Sequence, residues 1–174
     1  MPILISLLGA LAVALMILWR LNQAATAARG VGEAAEDLRG AWRRWSWRRK
    51  SRVDQIREVD DPRIAATIMM VAVAEYDGAL TDAEHQTMRR QICTKFGASE
   101  ALADELIAHA RWLNRNGGDI GSLFLKLKPV VEAKCAPRER SELIEMLRQV
   151  DGVSGRSAIT AGQISSLAKQ LRVA

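Results

Sequence analysis

The chain has 174 residues, which is enough for one ordinary domain and an appendage. Apolar residues make up 49% of it, so a hydrophobic core is expected. The net charge of +5 is unevenly placed: residues 20–57 carry ten Lys or Arg against four Asp or Glu, whereas residues 58–174 carry fifteen against sixteen. The overall basic character therefore gives no reason to assign nucleic-acid binding to the larger part of the chain, and no nucleic-acid partner is expected.

The first element is an uncharged run, residues 3–19, dominated by Leu, Ile, Val, Ala and Met. Its length of about 17 residues is at the short end of what spans a hydrocarbon core of ~30 Å. A cleaved signal peptide is the alternative, because residues 24–27 are small, but such a peptide begins with positive charge and only Met1-Pro2 precede this run. Arginines follow the run, so we predict a single-pass anchor at residues 1–21 with the N-terminus outside and the C-terminal bulk in the cytoplasm.

Residues 22–57 form the second part, a basic juxtamembrane helix or linker in which three Trp alternate with Arg and Lys over residues 42–50. Trp favours the headgroup layer, and each Arg or Lys near an anionic leaflet gains ~1 kcal/mol. The same mixture suits nucleic acid, but the preceding anchor confines the stretch near lipid. A flank that only sets topology and a protein-contact surface remain as alternatives. The predicted lipid-contact residues are Trp42, Arg43, Arg44, Trp45, Trp47, Arg48, Arg49 and Lys50.

Residues 58–174 are predicted to form a compact all-α bundle, because no segment alternates with period two for long. An Asp60-Asp61-Pro62 start favours an N-cap followed by Pro at the first helical position. Gly97 is predicted as a C-cap. The predicted helices are residues 63–76, residues 81–96, a third capped by Ser99, a fourth from Asp119 or Ser122 with an interruption near Pro129, a fifth from Pro137 and a last from Thr160.

The motif that stands out is Asp77-Gly78-Ala79-Leu80-Thr81-Asp82-Ala83-Glu84, with a partial repeat at Asp151-Gly152 and at Thr160-Ala161-Gly162-Gln163. Each copy places an acidic-Gly turn before a Thr-x-x-Glu or Thr-x-x-Gln helix start. This spacing predicts a capping box at Thr81 and Glu84, and a second at Thr160 and Gln163. Gly78 and Gly152 would then supply a left-handed turn after the preceding helix.

A hard divalent cation is the other interpretation of the first copy, with Asp77, Glu84 and Asp82 as oxygen ligands. An EF-hand is rejected because its first ligand position falls on Val73, which has no oxygen in its side chain. The second copy has Gln163 where a carboxylate is wanted. The sequence is compatible with both capping and cation binding at Asp77–Glu84.

An apolar helix that ends in Ala-x-x-Asp-Gly-x-Leu-Thr-x-x-Glu, followed by a later Asp-Gly, resembles the TerB-like (tellurite-resistance TerB) superfamily over residues 61–173. The matching positions are Asp77, Gly78, Thr81 and Glu84. The resemblance implies an all-helical bacterial domain linked to stress and envelope systems, with acidic motif residues as metal ligands. Gln163 and an insertion at residues 153–157 depart from the pattern. A His-Pro-Asp signature is absent from the sequence, so co-chaperone activity of the J-domain type is not expected.

Other chemistry is sparse in the sequence. His85 and His109 are its two histidines, and Cys93 and Cys135 lack metal-ligand spacing and are predicted to be reduced thiols. Walker, dinucleotide, Gly-x-Ser-x-Gly and HExxH motifs are missing, so neither an enzyme nor a small-molecule substrate is predicted. We expect a non-catalytic binding or scaffold module in the bacterial inner membrane, serving as an accessory subunit of a membrane protein complex or of a stress-response assembly. The alternative function is a cation-binding sensor or a tellurite-resistance-like stress protein.

Overall fold

The computed structural model describes residues 38–40, 55–153, 155 and 157–173, and in this part of the chain it is helical without any strand. The prediction of an all-α bundle is therefore confirmed for these residues. A helical stretch at residues 38–40 comes first. The later helices are α1 Pro62–Ala74, α2 Asp82–Phe96, α3 Glu100–Gly117, α4 Ile120–Lys134, α5 Pro137–Val153 and α6 Ala158–Gln170.

Helix α1 is the centre of the bundle, since every residue from Ile64 to Ala74 is buried. It packs against α3, α4 and α5, and less extensively against α2. Its start is fixed locally: the Asp61 side chain accepts a hydrogen bond of 2.8 Å from the backbone N–H of Arg63, and Pro62 occupies the first turn. Burying each large apolar side chain of this helix stabilises the fold by roughly 1.5–3 kcal/mol, so α1 organises the core.

The outer helices close around α1 in two groups. Helix α2 packs against α3 and α5, whereas α6 packs against α5 and α4. Locally encoded caps separate them, as predicted: Gly97 ends α2 with a φ of 68°, Ser99 caps α3, and Asp119 caps α4. Two observed helix ends differ from the predicted ones. Helix α1 ends at Ala74 rather than at residue 76, and α6 begins at Ala158 rather than at Thr160.

Helix α4 runs through Pro129 without a break, so the predicted interruption there is wrong. Pro129 lacks the N–H that would bond to the carbonyl of Leu125, four residues earlier. Both side chains are exposed, and the missing bond therefore lies on the solvent side of the helix, where water can hydrate the carbonyl.

The core extends upstream of residue 58, where the predicted domain begins. Leu38 is 0% exposed and Ile56 is 3% exposed, and both belong to the same apolar cluster as α1. Residues 22–57, which are predicted to be a juxtamembrane helix or linker, therefore contribute at least two side chains to the folded domain.

The predicted anchor at residues 1–21 and the Trp- and Arg-rich residues 42–50 lie outside the described residues. Within the part of the chain that is described, none of the helices combines the length and the apolar character needed to cross a bilayer.

Candidate functional site

The loop between α1 and α2 is held from its first residue. Glu75 ends α1, and its carboxylate accepts hydrogen bonds from Arg111 Nε at 2.7 Å and from Asn114 Nδ2 at 3.1 Å. The Glu75 side chain is only 11% exposed, so this ion pair ties the loop firmly to α3. The following residues, from Tyr76 to Ala79, are exposed. The loop is thus exposed to solvent, while its first residue, Glu75, is held by side chains of α3.

Thr81 and Glu84 form the capping box that their spacing predicts. Thr81 Oγ1 accepts a bond of 3.3 Å from the backbone N–H of Glu84. Glu84 Oε2 in turn accepts bonds of 2.7 Å from both the backbone N–H and the hydroxyl of Thr81. Glu84 is 2% exposed and lies in the first turn of α2, where an acidic side chain stabilises the helix through its dipole.

The predicted cation ligands are not arranged as a metal site. Asp77 and Asp82 are exposed, and one carboxylate oxygen of Glu84 is used by the two bonds from Thr81. Among the described residues, no three His, Cys, Asp or Glu side chains are grouped so that they could hold a metal ion. The structure therefore does not bring Asp77, Asp82 and Glu84 together as a ligand set.

The second copy of the motif folds differently from the first. Asp151 and Gly152 lie in the last turn of α5, and Ser157 is the N-cap of α6, accepting a bond of 3.3 Å from the N–H of Ile159. The predicted capping by Thr160 and Gln163 is therefore wrong, because the insertion supplies its own cap three residues earlier. Thr160, which is buried, instead donates its hydroxyl to the Asp151 carboxylate.

Neither motif glycine adopts the left-handed conformation that the sequence predicts. Gly78 and Gly152 are absent from the positive-φ glycines of the described residues, which are Gly97, Gly118 and Gly155. Gly152 is helical, so the end of α5 does not require a glycine there.

Trp112 is the feature that sequence reasoning missed. It lies on α3, is 47% exposed, and stacks on His109 with ring centroids 5.5 Å apart. His109 is 8% exposed, so the indole rests on a buried ring. Its neighbour Arg111 pairs with Glu75, which places Trp112 at the same end of the bundle as Tyr76, itself 39% exposed. The signal was available, since position 112 falls outside the buried helical stripe that includes Leu106, Ala110 and Leu113.

His85 belongs to a surface charge network rather than to the loop. Its Nε2 lies 3.6 Å from Asp104 Oδ1 on α3, and Arg89 Nε donates to the same oxygen at 2.7 Å. These contacts join α2 to α3. His85 is therefore not gathered with Asp77 or Glu84.

A small cavity of about 180 Å³ lies between α1, α2, α4 and α5. Ligand pockets usually measure about 300–1,000 Å³, so it is too small for a typical metabolite.

Cys135 lines this cavity, and burial raises the pKa of its thiol, as it does the pKa of the Cys93 thiol. Both thiols are therefore protonated at neutral pH and are weak nucleophiles. At the rim, the hydrogen bond from Lys95 lowers the pKa of Glu142.

These features define a small helical domain: a fully buried central helix, and after it an exposed Asp-Gly loop closed by a capping box. The sequence matches the family described as tellurite resistance protein TerB over residues 63–154, more than half of the chain. The chain therefore belongs to the TerB family. No curated protein and no solved structure gives a significant match. Helix α6 and the core residues Leu38 and Ile56 lie outside the family match.

Proposed function

We propose that this chain is a membrane-anchored, non-catalytic binding module that holds its TerB bundle at the cytoplasmic face of the bacterial inner membrane. There it serves as an accessory subunit of a membrane protein complex or of a stress-response assembly. The observation that carries the binding role is Trp112, a large aromatic side chain exposed on a rigid helical surface.

Trp112 has the properties of an interface hot spot. Trp, Tyr and Arg dominate such sites, where a rigid aromatic group adds contact area at little cost in conformational entropy. Stacking on His109 restricts the indole, and the adjacent Arg111–Glu75 ion pair ties this part of α3 to the end of α1. Tyr76 at the same end of the bundle adds a second exposed ring. This aromatic end supports recognition of a protein rather than of a small molecule.

The distance between the proposed anchor and the bundle supports the membrane role. Sixteen residues, 22–37, separate the end of the anchor at residue 21 from Leu38, which is buried in the core. Such a segment spans about 25 Å if it is helical and at most about 60 Å if it is fully extended. An anchor at residues 1–21 would therefore keep Leu38, and with it the bundle, within about 60 Å of the bilayer.

The Trp- and Arg-rich residues 42–50 would act as a second membrane contact. In the sequence these residues lie between Leu38 and Ile56, and both of those side chains belong to the core. Whatever the intervening residues contact is therefore brought close to the domain. Anionic lipid fits their composition best, because Arg favours the charged leaflet and Trp favours the headgroup layer.

The partner experiment starts from the full-length chain, extracted from native membranes in mild detergent and sized. A companion protein at fixed stoichiometry is expected with the wild type, and Trp112→Ala should remove it. Trp112→Phe, which keeps an aromatic ring, should retain most of it, and so should Val153→Ala, a truncation of another exposed apolar residue (41%). Loss of the companion in Val153→Ala as well, or no companion at all, would refute the proposed site.

The anchor is tested separately, by charge. Leu11→Arg with Leu15→Arg should move the protein from the membrane to the soluble fraction, because each Arg at the centre of a span costs ~2.5–3.5 kcal/mol on insertion. Leu11→Met with Leu15→Met is the control and should stay in the membrane. A chain that remains membrane-bound with both arginines would show that residues 3–19 are not the anchor. The cation-sensor alternative is tested separately, at Thr81.

A further inference from the structure

Charge divides residues 58–174 into two unequal parts. Residues 119–134 and 157–174, which form α4, α6 and their ends, carry five Lys or Arg against two Asp or Glu, a net charge of +3. The rest of this region carries ten against fourteen, a net charge of −4. Helices α4 and α6 pack on each other, and α2 and α3 likewise form a pair. The bundle therefore has one basic surface, formed by the exposed residues of α4 and α6 (the α4–α6 face), and is acidic elsewhere.

The α4–α6 face also carries the two most exposed large apolar side chains of the described residues, Leu125 at 62% and Ile159 at 54%. Leu125 lines a groove of about 490 Å³ between the two helices, together with Gln163, Ser166 and Gln170. Ile159 precedes these three residues by four, seven and eleven positions, a spacing that places it on the same stripe of α6. Exposed apolar side chains flanked by basic ones are typical of a surface that lies in the membrane interface.

The two acidic residues of this face are Asp119 and Glu132, and each has a local partner. Lys128 Nζ lies 2.9 Å from Glu132 Oε1, one turn away on α4. Asp119 is exposed and is the N-cap of α4, where its carboxylate accepts a hydrogen bond of 3.0 Å from a backbone N–H. Lys169 and Arg172 are also exposed, and neither forms an ion pair with the described residues. Apart from Asp119 at one end, the uncompensated charge of this face is therefore positive.

We infer that the α4–α6 face lies on the cytoplasmic leaflet and binds anionic lipid headgroups, an inference that rests on the anchor of the proposed function. Lys169 and Arg172 pair with lipid phosphates, and Leu125 and Ile159 reach the boundary of the acyl chains. The negative surface potential of the leaflet selects this face, because it attracts a net charge of +3 and repels the acidic remainder of the bundle. Trp112 lies on α3, which packs against α1 and α2, so the proposed partner-binding end stays accessible.

Fluorescence quenching of the full-length chain in lipid nanodiscs tests the contact. In a background of Cys93→Ser and Cys135→Ser, an NBD label is placed at Ser166→Cys or at Ala108→Cys, which are small exposed residues on α6 and α3. In discs that contain phosphatidylglycerol, doxyl-labelled lipid should quench the label at residue 166 roughly three times as strongly as the label at residue 108, because only the former lies in the headgroup layer. Equal quenching would overturn the inference alone, whereas a chain that does not enter the discs would refute the proposed anchor and the inference with it.

Charge reversal in the same discs tests what holds this face against the lipid. Lys169→Glu with Arg172→Glu should reduce the quenching at residue 166 by about half or more, because it places negative charge against the anionic leaflet. Arg90→Glu with Arg115→Glu, which reverses two exposed arginines on α2 and α3, is the matched control and should leave the quenching unchanged. Leu125→Glu gives the answer if the first double variant loses its helical circular dichroism. Quenching that survives these changes in a folded variant, or that is equally strong in discs of phosphatidylcholine alone, would contradict binding to anionic lipid.

Discussion

Thr160 donates its hydroxyl to the carboxylate of Asp151, and the two side chains are only 2% and 5% exposed. This bond joins the end of α5 to the first turn of α6 across the insertion. A buried carboxylate is costly unless it is hydrogen-bonded, so Asp151 depends on this donor and the start of α6 depends on Asp151. The relationship explains why Thr160 lies inside the helix rather than at its cap.

Thr160→Val should lower the free energy of unfolding by ~1–3 kcal/mol, because it leaves a buried carboxylate without this donor. Urea unfolding measures the loss. Thr94→Val is the control, since the Thr94 hydroxyl bonds only to carbonyls of its own exposed helix, and its effect should stay within ~0.5 kcal/mol. In a double-mutant cycle, Thr160→Val and Asp151→Ala should be non-additive. Additive losses would show that the bond contributes nothing.

Two glycines should respond in opposite ways to alanine. Gly152 is helical with open space around its Cβ position, so Gly152→Ala should stabilise the fold by about 0.5–1 kcal/mol. Gly97 has a φ of 68°, so Gly97→Ala should destabilise it by about 1–2 kcal/mol. Thermal melts of the two variants should therefore shift to either side of the wild type. If Gly152→Ala instead destabilised the fold, Gly152 would have the left-handed turn conformation that the sequence predicts.

The Thr81–Glu84 capping box gives a test of the cation alternative. Thr81→Ala should cost ~1 kcal/mol through loss of the cap, whereas Thr81→Ser, which keeps the hydroxyl, should cost only a few tenths. Unfolding is measured with and without millimolar Ca²⁺ or Mg²⁺. Capping predicts the same loss in both conditions. A wild type that melts higher with cation, and an Asp77→Asn variant that does not, would favour the sensor.

Local signals predicted most of the helix starts, because their physical cause lies within three or four residues. Asp61 with Pro62, Ser99 and Asp119 are caps that need no distant partner. At α6 two local signals compete, Ser157 and Thr160, and the choice depends on Asp151, a tertiary contact. The Thr-x-x-Gln pattern alone therefore could not show which residue caps α6.

Two further features could not be predicted from the sequence for the same reason. Whether Pro129 breaks α4 depends on which face of the helix meets water, and this is set by the packing of the whole bundle. The burial of Leu38 depends on contacts far along the chain, so composition assigned it to a juxtamembrane helix or linker. The exposure of Trp112, in contrast, could have been predicted from its position off the buried stripe of α3.

The N-terminal limit of the domain can be measured through Leu38. Leu38→Ala should lower the free energy of unfolding by ~2–5 kcal/mol, as expected for a fully buried leucine. Leu125→Ala removes the same atoms from a side chain that is 62% exposed, and it should cost within ~0.5 kcal/mol. If the two truncations were equally mild, Leu38 would not belong to the core and the domain would begin near residue 58.

The two thiols should alkylate slowly at neutral pH. Burial raises the pKa of both Cys93 and Cys135, and only the thiolate reacts with iodoacetamide. The reaction rate of single-cysteine variants should therefore be below that of a free cysteine peptide at pH 7–8, and should keep rising at pH values where the peptide has reached its plateau. In urea both rates should return to the peptide value, because unfolding removes the burial. A rate at neutral pH above that of the peptide would reveal an activated thiol and would reopen the question of catalysis at the Cys135 cavity.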